Sequence, residues 1–116
     1  MIKIFKTAKS LQDGIDNMMA GAKEDYAQTM GRNDSAYTKQ KLENYESQTT
    51  VKEGKKYIKV IYDRSVFAFI VKEDFKHFKK GDVLKPAGWA APALNQPRGN
   101  VLEGNYPIQW TGPLYL

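Results

Sequence analysis

The chain has 116 residues, no cysteine and one histidine, with 41% apolar and 27% charged residues and a net charge of +5. That length fits one domain able to bury roughly two thirds of its unfolded surface, and the apolar share is that of a folded globule rather than a disordered chain. Disulfide scaffolds, CxxC redox chemistry and thiolate zinc sites are excluded; no apolar run approaches the roughly 18 residues of a membrane span, and residues 1–14 lack the apolar core of a signal peptide. No membrane partner and a cytoplasmic location are therefore expected.

Residues 1–8 alternate briefly, Ile2 and Ile4 against Lys3 and Lys6, and read as a short strand. Ser10 is an N-cap candidate, with Asp13 three residues on approximating a capping box. Leu11, Ile15, Met18, Ala22 and Tyr26 then follow at helical spacing, with Gly31 as the stop signal. Gly14 and Gly21 lie inside this pattern and each costs about 1 kcal/mol against alanine. Being seven apart they share a face, so close approach to another backbone is one explanation and a break at Gly21 the other.

A second helix is predicted from about Ser35 to Gln48, entered through Asn33, Asp34 or Ser35. Its apolar residues are few (Ala36, Tyr37, Leu42 and Tyr45), so most of its surface faces water or a partner. Residues 49–54 read as the connection to a β-rich half.

The segments 57–62 (YIKVIY) and 66–72 (VFAFIVK) are two β-branched, aromatic runs around a three-residue turn, a hairpin pattern. The second run is apolar on both faces, which places it centrally in the sheet or under the N-terminal helix. A turn at 79–82, a strand at 83–85 closed by Pro86, and short strands at 101–102 and 108–110 complete the reading. The five prolines all fall after residue 85 and restrict where ladders run. The expected fold is a single α+β domain over 1–116, with a helical part at 1–50 and a β-rich part at 51–116. One or two N-terminal helices pack on a small bent, mostly antiparallel sheet or partial barrel.

Chemistry-bearing patterns are sparse. His77 with Glu73 and Asp74 is too small a donor set for a metal site. Gly54-Lys55 lacks the rest of a phosphate loop, and no serine stands in a nucleophile elbow. The carboxylate pairs Glu24/Asp25 and Glu73/Asp74 are adjacent, so they diverge on regular structure. No enzyme, cofactor or metal is expected.

Charge placement is more informative than its sum. Residues 52–85 hold ten Lys/Arg against five Asp/Glu, while the segments on either side are balanced. Lys55, Lys56, Lys59, Arg64, Lys79 and Lys80, interleaved with aromatics, are the candidate nucleic-acid contacts, and Lys59 shares a strand face with Tyr57. Interleaved acids and scarce arginine favour the plainer alternative, a solvated basic face. For a protein partner the candidates are Trp89, in a proline-bounded loop, Arg98, and Tyr37 and Tyr45 on the polar second helix. Tyr106, Trp110 and Tyr115 are the other C-terminal aromatics, with Trp110 assigned to the core.

The run FKKGDVLKPAGWAAPA, followed by RGNVLEGNY and WTGPLYL, resembles the C-terminal signature of a family of small tailed-bacteriophage proteins. These read F-K-x-G-D-(I/V)-L, then W-x-A-P-A, A-R-G-N-(I/V) and a closing W-T-G. The matching positions are Phe78, Gly81, Asp82, Leu84, Trp89, Ala91, Pro92, Arg98, Gly99, Asn100, Trp110, Thr111 and Gly112; Pro97 stands where alanine is usual. The resemblance covers about residues 57–116. It implies a phage origin and a life in the host cytoplasm, and no particular activity. By analogy with small phage proteins that lack catalytic motifs, it implies a non-enzymatic accessory protein that binds host machinery, including inhibition of antiviral defence. A host protein is slightly favoured as partner, with nucleic acid second and a virion or assembly role third.

Overall fold

The computed structural model describes residues 1–30 and 35–114. Eight elements follow in order: β1 (Ile2–Ile4), α1 (Leu11–Met30), α2 (Ala36–Glu43), β2 (Thr49–Glu53), β3 (Tyr57–Tyr62), β4 (Ser65–Val71), β5 (Val83–Leu84) and β6 (Tyr106–Ile108). They form an α+β fold with one four-stranded antiparallel sheet, order β2-β3-β4-β5, and a two-stranded β1-β6 pair. No closed barrel forms among the described residues. The expected stop at Gly31 and the cap candidates Asn33 and Asp34 lie outside the described residues, as does Tyr115.

Helix α1 starts where Ser10 Oγ accepts the Asp13 amide at 3.1 Å, which satisfies one of its open N-terminal donors. Ile15, Met18, Ala22 and Tyr26 are buried as one stripe, and Leu11 is half-buried. The helix runs through Gly21 unbroken. Gly14 sits against the Val101 backbone and Gly21 against the Ile4 side chain. The absent side chains thus let α1 lie directly on β1 and on the turn at Val101.

Helix α2 is shorter than expected. Ser35 Oγ accepts the Thr38 amide at 3.1 Å, but the helix ends at Asn44 and residues 44–48 turn instead. Thr38 is its only buried residue, so no apolar stripe extends it along the core. The connection expected at 49–54 is mostly a strand. β2 pairs antiparallel with β3 along its length, from Thr49↔Tyr62 to Glu53↔Ile58. As a nearly fully exposed edge strand it carries no apolar alternation, which is why its pattern reads as a linker.

β4 lies between β3 and β5, and its residues Phe67–Val71 are buried. One face of the sheet joins α1 in the main core through Ile58, Val60, Ala68, Ile70 and Val83. The other face carries a second apolar cluster of Phe69, Val71, Phe78 and Leu84, capped by Tyr57, Val66 and Phe75. Two cores explain a strand that is apolar on both sides.

The strand expected at 101–102 is a turn. Asn100 Oδ1 accepts the amides of Leu102 (2.9 Å) and Glu103 (3.1 Å) and bends the chain there. Its Nδ2 donates to Lys80 O (2.9 Å) and to Asp82 Oδ1 (3.0 Å), and Asp82 Oδ2 accepts the Lys79 amide at 2.8 Å. Each bond in this buried cluster stabilises by about 1 kcal/mol, and leaving a member unpaired costs about 1–3 kcal/mol. Beyond it, β6 begins two residues before the expected 108–110 strand and pairs with β1, Ile2↔Ile108 and Ile4↔Tyr106. Trp110 is half-buried, edge-on to Tyr26 with ring centres 5.3 Å apart. Its amide donates to buried Asp25 Oδ2 at 2.9 Å, and the Met1 ammonium faces the other oxygen.

Candidate functional site

The β2–β3 hairpin turns at Gly54, whose amide donates to Tyr57 O at 2.8 Å, and leaves Lys55 and Lys56 exposed at the tip. From there the two-residue period of β3 sends Tyr57 and Lys59 to the face away from α1. Register aligns a row across that face: Lys52 opposite Lys59, Lys59 opposite Phe69, and Phe69 opposite Leu84. Two lysines directly opposed on one face repel each other, an arrangement that costs stability unless an anion neutralises it.

The loop around Trp89 closes the site from the other side. Ala87 and Gly88 amides both donate to Ala91 O (3.0 and 3.3 Å), and Pro86 bridges to Pro92. This tight turn presents Trp89, 55% exposed. Lys59 Nζ stands 4.6 Å from the Trp89 ring centre and 5.8 Å from that of Phe69, and Lys56 Nζ stands 5.6 Å from that of Phe75. Cations over aromatic faces are attracted to the ring quadrupole by about 0.5–1 kcal/mol at exposed sites. Between hairpin and loop runs a groove of about 340 Å³, lined by Lys52, Lys55, Lys56, Tyr57, Lys59 and Phe69 among others. Its one acid, Glu53, is bonded to Lys72 Nζ at 2.8 Å, which holds that carboxyl below the usual range. Among the described residues no carboxylate pairs with Lys52, Lys55, Lys56 or Lys59.

The predicted residues therefore divide. Lys55, Lys56 and Lys59 line one groove, and Trp89, assigned to a different partner by the sequence, stands beside Lys59 at its edge. Arg64 does not join them. It occupies the β3–β4 turn, at the far end of β3 from the Lys55–Lys56 tip, a strand of about 17 Å at 3.3–3.4 Å per residue. Lys79 lies 3.8 Å from Asp74, and the Lys80 amide donates to the same carboxylate at 2.8 Å, so an acid intervenes there. Arg98 is half-buried and donates to Leu114 O (3.0 Å), Gln96 O (2.8 Å) and Asn95 Oδ1. These bonds tie Leu114 to the 95–98 turn and leave the guanidinium engaged within the protein.

Tyr45 is corrected outright as a contact residue: it is 1% exposed and stacks on Tyr62 with ring centres 4.5 Å apart. The turn after Asn44 swings it inward. Tyr37 is exposed and borders a separate polar pocket with Gln40, Asn44, Gln48 and Asp63. Lys52 and Phe69, members of the basic, aromatic 52–85 segment, also belong to the site: the β2–β3 register brings Lys52 opposite Lys59 and the β3–β4 register brings Phe69 there. The β-branched run Thr49-Thr50-Val51 is the signal that marks β2.

No helix among the described residues is long and apolar enough to cross a membrane. Fold and groove together define an α+β protein with a cationic, aromatic sheet face. The chain belongs to a family of unknown function (DUF7717), whose model matches residues 3–116, the helical part as well as the β-rich part. No curated protein and no solved structure matches it.

Proposed function

We propose that this protein is a non-enzymatic phage accessory factor that binds a macromolecule of the host cytoplasm through the groove between the β2–β3 hairpin and the Trp89 loop. The observation that carries this reading is the opposed Lys52–Lys59 pair beneath an exposed tryptophan. A fold selected for stability alone gains nothing from two like charges facing each other, whereas an anionic partner turns the repulsion into affinity. The groove offers ammonium groups and ring faces, which is equipment for recognition; proton transfer calls for an acid–base pair held within hydrogen-bond reach of a substrate.

The test is capture from host lysate with the intact protein, the Lys55→Glu/Lys56→Glu variant and the Arg64→Glu variant. All three positions are exposed, so folding is preserved. A specific partner retained by wild type and Arg64→Glu but lost with the double variant supports the reading. Recovery indifferent to the groove charges, or no specific recovery at all, sinks it.

A further inference from the structure

We infer that the ligand of this groove is single-stranded nucleic acid, its phosphates received by Lys52, Lys55, Lys56 and Lys59 and a base stacked on Trp89. This rests on the groove being the contact face. Its chemistry alternates along a short path: ammonium groups at the hairpin tip, the Lys52–Lys59 pair, then the Trp89 ring beside Lys59. A nucleic-acid strand alternates in the same way, one anion and one flat ring per residue. An acidic peptide would satisfy the lysines but has no obligatory planar group for the tryptophan.

A duplex would satisfy the lysines but not the tryptophan. Its bases are stacked on one another, so an exposed indole finds no open face, and duplex readers draw on arginine forks that this groove lacks. Single-strand sites, by contrast, are built from a cationic track and sequence-tolerant aromatic platforms. The contact between Lys59 and Trp89 also has a place in the bound state. With a phosphate on Lys59, its ammonium is neutralised without withdrawing from the ring, and the exposed part of the indole stays open to a base.

The test is fluorescence anisotropy with a labelled strand of about 12 nucleotides, within the range of single-strand site sizes, alongside the same sequence as duplex. Four lysine–phosphate contacts predict a log–log salt slope of about −3, so affinity falls roughly fifty-fold between about 50 and 200 mM salt. Trp89→Ala is expected to weaken binding about five- to a hundred-fold with the slope unchanged, as loss of one stacked base does. Lys55→Glu/Lys56→Glu weakens it and flattens the slope, while Arg64→Glu leaves the affinity within about two-fold because it lies outside the phosphate track.

Flat titrations, equal or tighter binding of duplex, or an Arg64→Glu loss matching the groove variants each overturn the inference. Flat titrations combined with a nuclease-resistant lysate partner that the groove variants lose leave the contact face standing and replace its ligand with an acidic protein. Flat titrations with no groove-dependent capture remove both.

Discussion

At Gly14 the space of a side chain is filled by Val101: a Cβ there would stand 2.6 Å from the Val101 carbonyl oxygen and 2.7 Å from its Cβ. Backbone cannot yield as a side-chain tip can. Gly14→Ala is therefore expected to lose about 1–3 kcal/mol, even though alanine gains up to about 1 kcal/mol in helix propensity. At Gly21 the nearest atom is the end of the Ile4 side chain, which can turn aside, so Gly21→Ala should lose less. Urea denaturation of the two variants checks the ranking, and the reverse order would refute this account of how α1 docks. The same scale accounts for the packing of residues 79–103. Gly81, Asp82, Arg98 and Asn100 interlock the turns at 79–82 and 98–103 through hydrogen bonds, so these four residues hold the fold there. Trp89, by contrast, is a large apolar side chain that stands in the open.

Of the two helices, α2 is the less anchored by apolar burial, and a cation compensates. Lys41 Nζ stands 4.7 Å from the ring centre of Tyr26 and 5.4 Å from those of Tyr62 and Trp110. It links the helix to residues from α1, β3 and the C-terminal segment. Lys41→Gln keeps most of the stem and removes the charge, and is expected to cost about 1 kcal/mol. Amide exchange over residues 36–43 should quicken while α1 stays protected; uniform quickening across both helices would show that Lys41 is no local clamp. The α2 boundary and β2 were the two elements least legible in the sequence, for related reasons. α2 depends on contacts from residues far along the chain, and β2 depends on the ladder of β3 rather than on its own periodicity. The long stripe of α1 and the β3–β4 hairpin were legible because each pattern is local and repeats over several residues.

For the molecule as a whole, buried tyrosines set a limit in alkali. Burial raises the Tyr45 and Tyr106 hydroxyls well above their ordinary value of 10.0, and pushes Tyr62, with help from Asp63, up to about 12. Neither the Tyr45 nor the Tyr106 hydroxyl has a hydrogen-bond partner among the described residues that would soften the cost of ionising there. The neutral form is thus favoured in the folded state. Stability from this source is fully present below about pH 10, where the tyrosines of the unfolded chain are also neutral. It is lost as pH rises beyond, because the unfolded chain releases protons that the folded one retains. Denaturant titrations should show flat stability up to about pH 9 and then a fall approaching 3 kcal/mol per pH unit, to which half-buried Tyr62 contributes less than the other two. Tyr106→Phe should make the fall shallower by about one proton's share, near 1.4 kcal/mol per unit. A slope that the substitution leaves unchanged would place the alkaline transition elsewhere.

By itself the sequence determined what is local or additive: the α+β class, the long helix and its Ser10 cap, the central hairpin, and the positive excess in 52–85. Periodicity, capping and charge are properties of neighbouring residues. Only the tertiary structure decided which cations act together. Lys52 opposes Lys59 because β2 pairs with β3 in one particular register, and a slip of one residue would send every side chain to the other face. Trp89 lies over Lys59 although thirty residues of chain separate them, because the Pro86–Pro92 turn folds back along the sheet. The same long-range geometry removed Tyr45, Arg98 and Arg64 from the site. A residue's type is written in the chain, but its neighbours across a sheet are set by ladders that close only when distant segments meet.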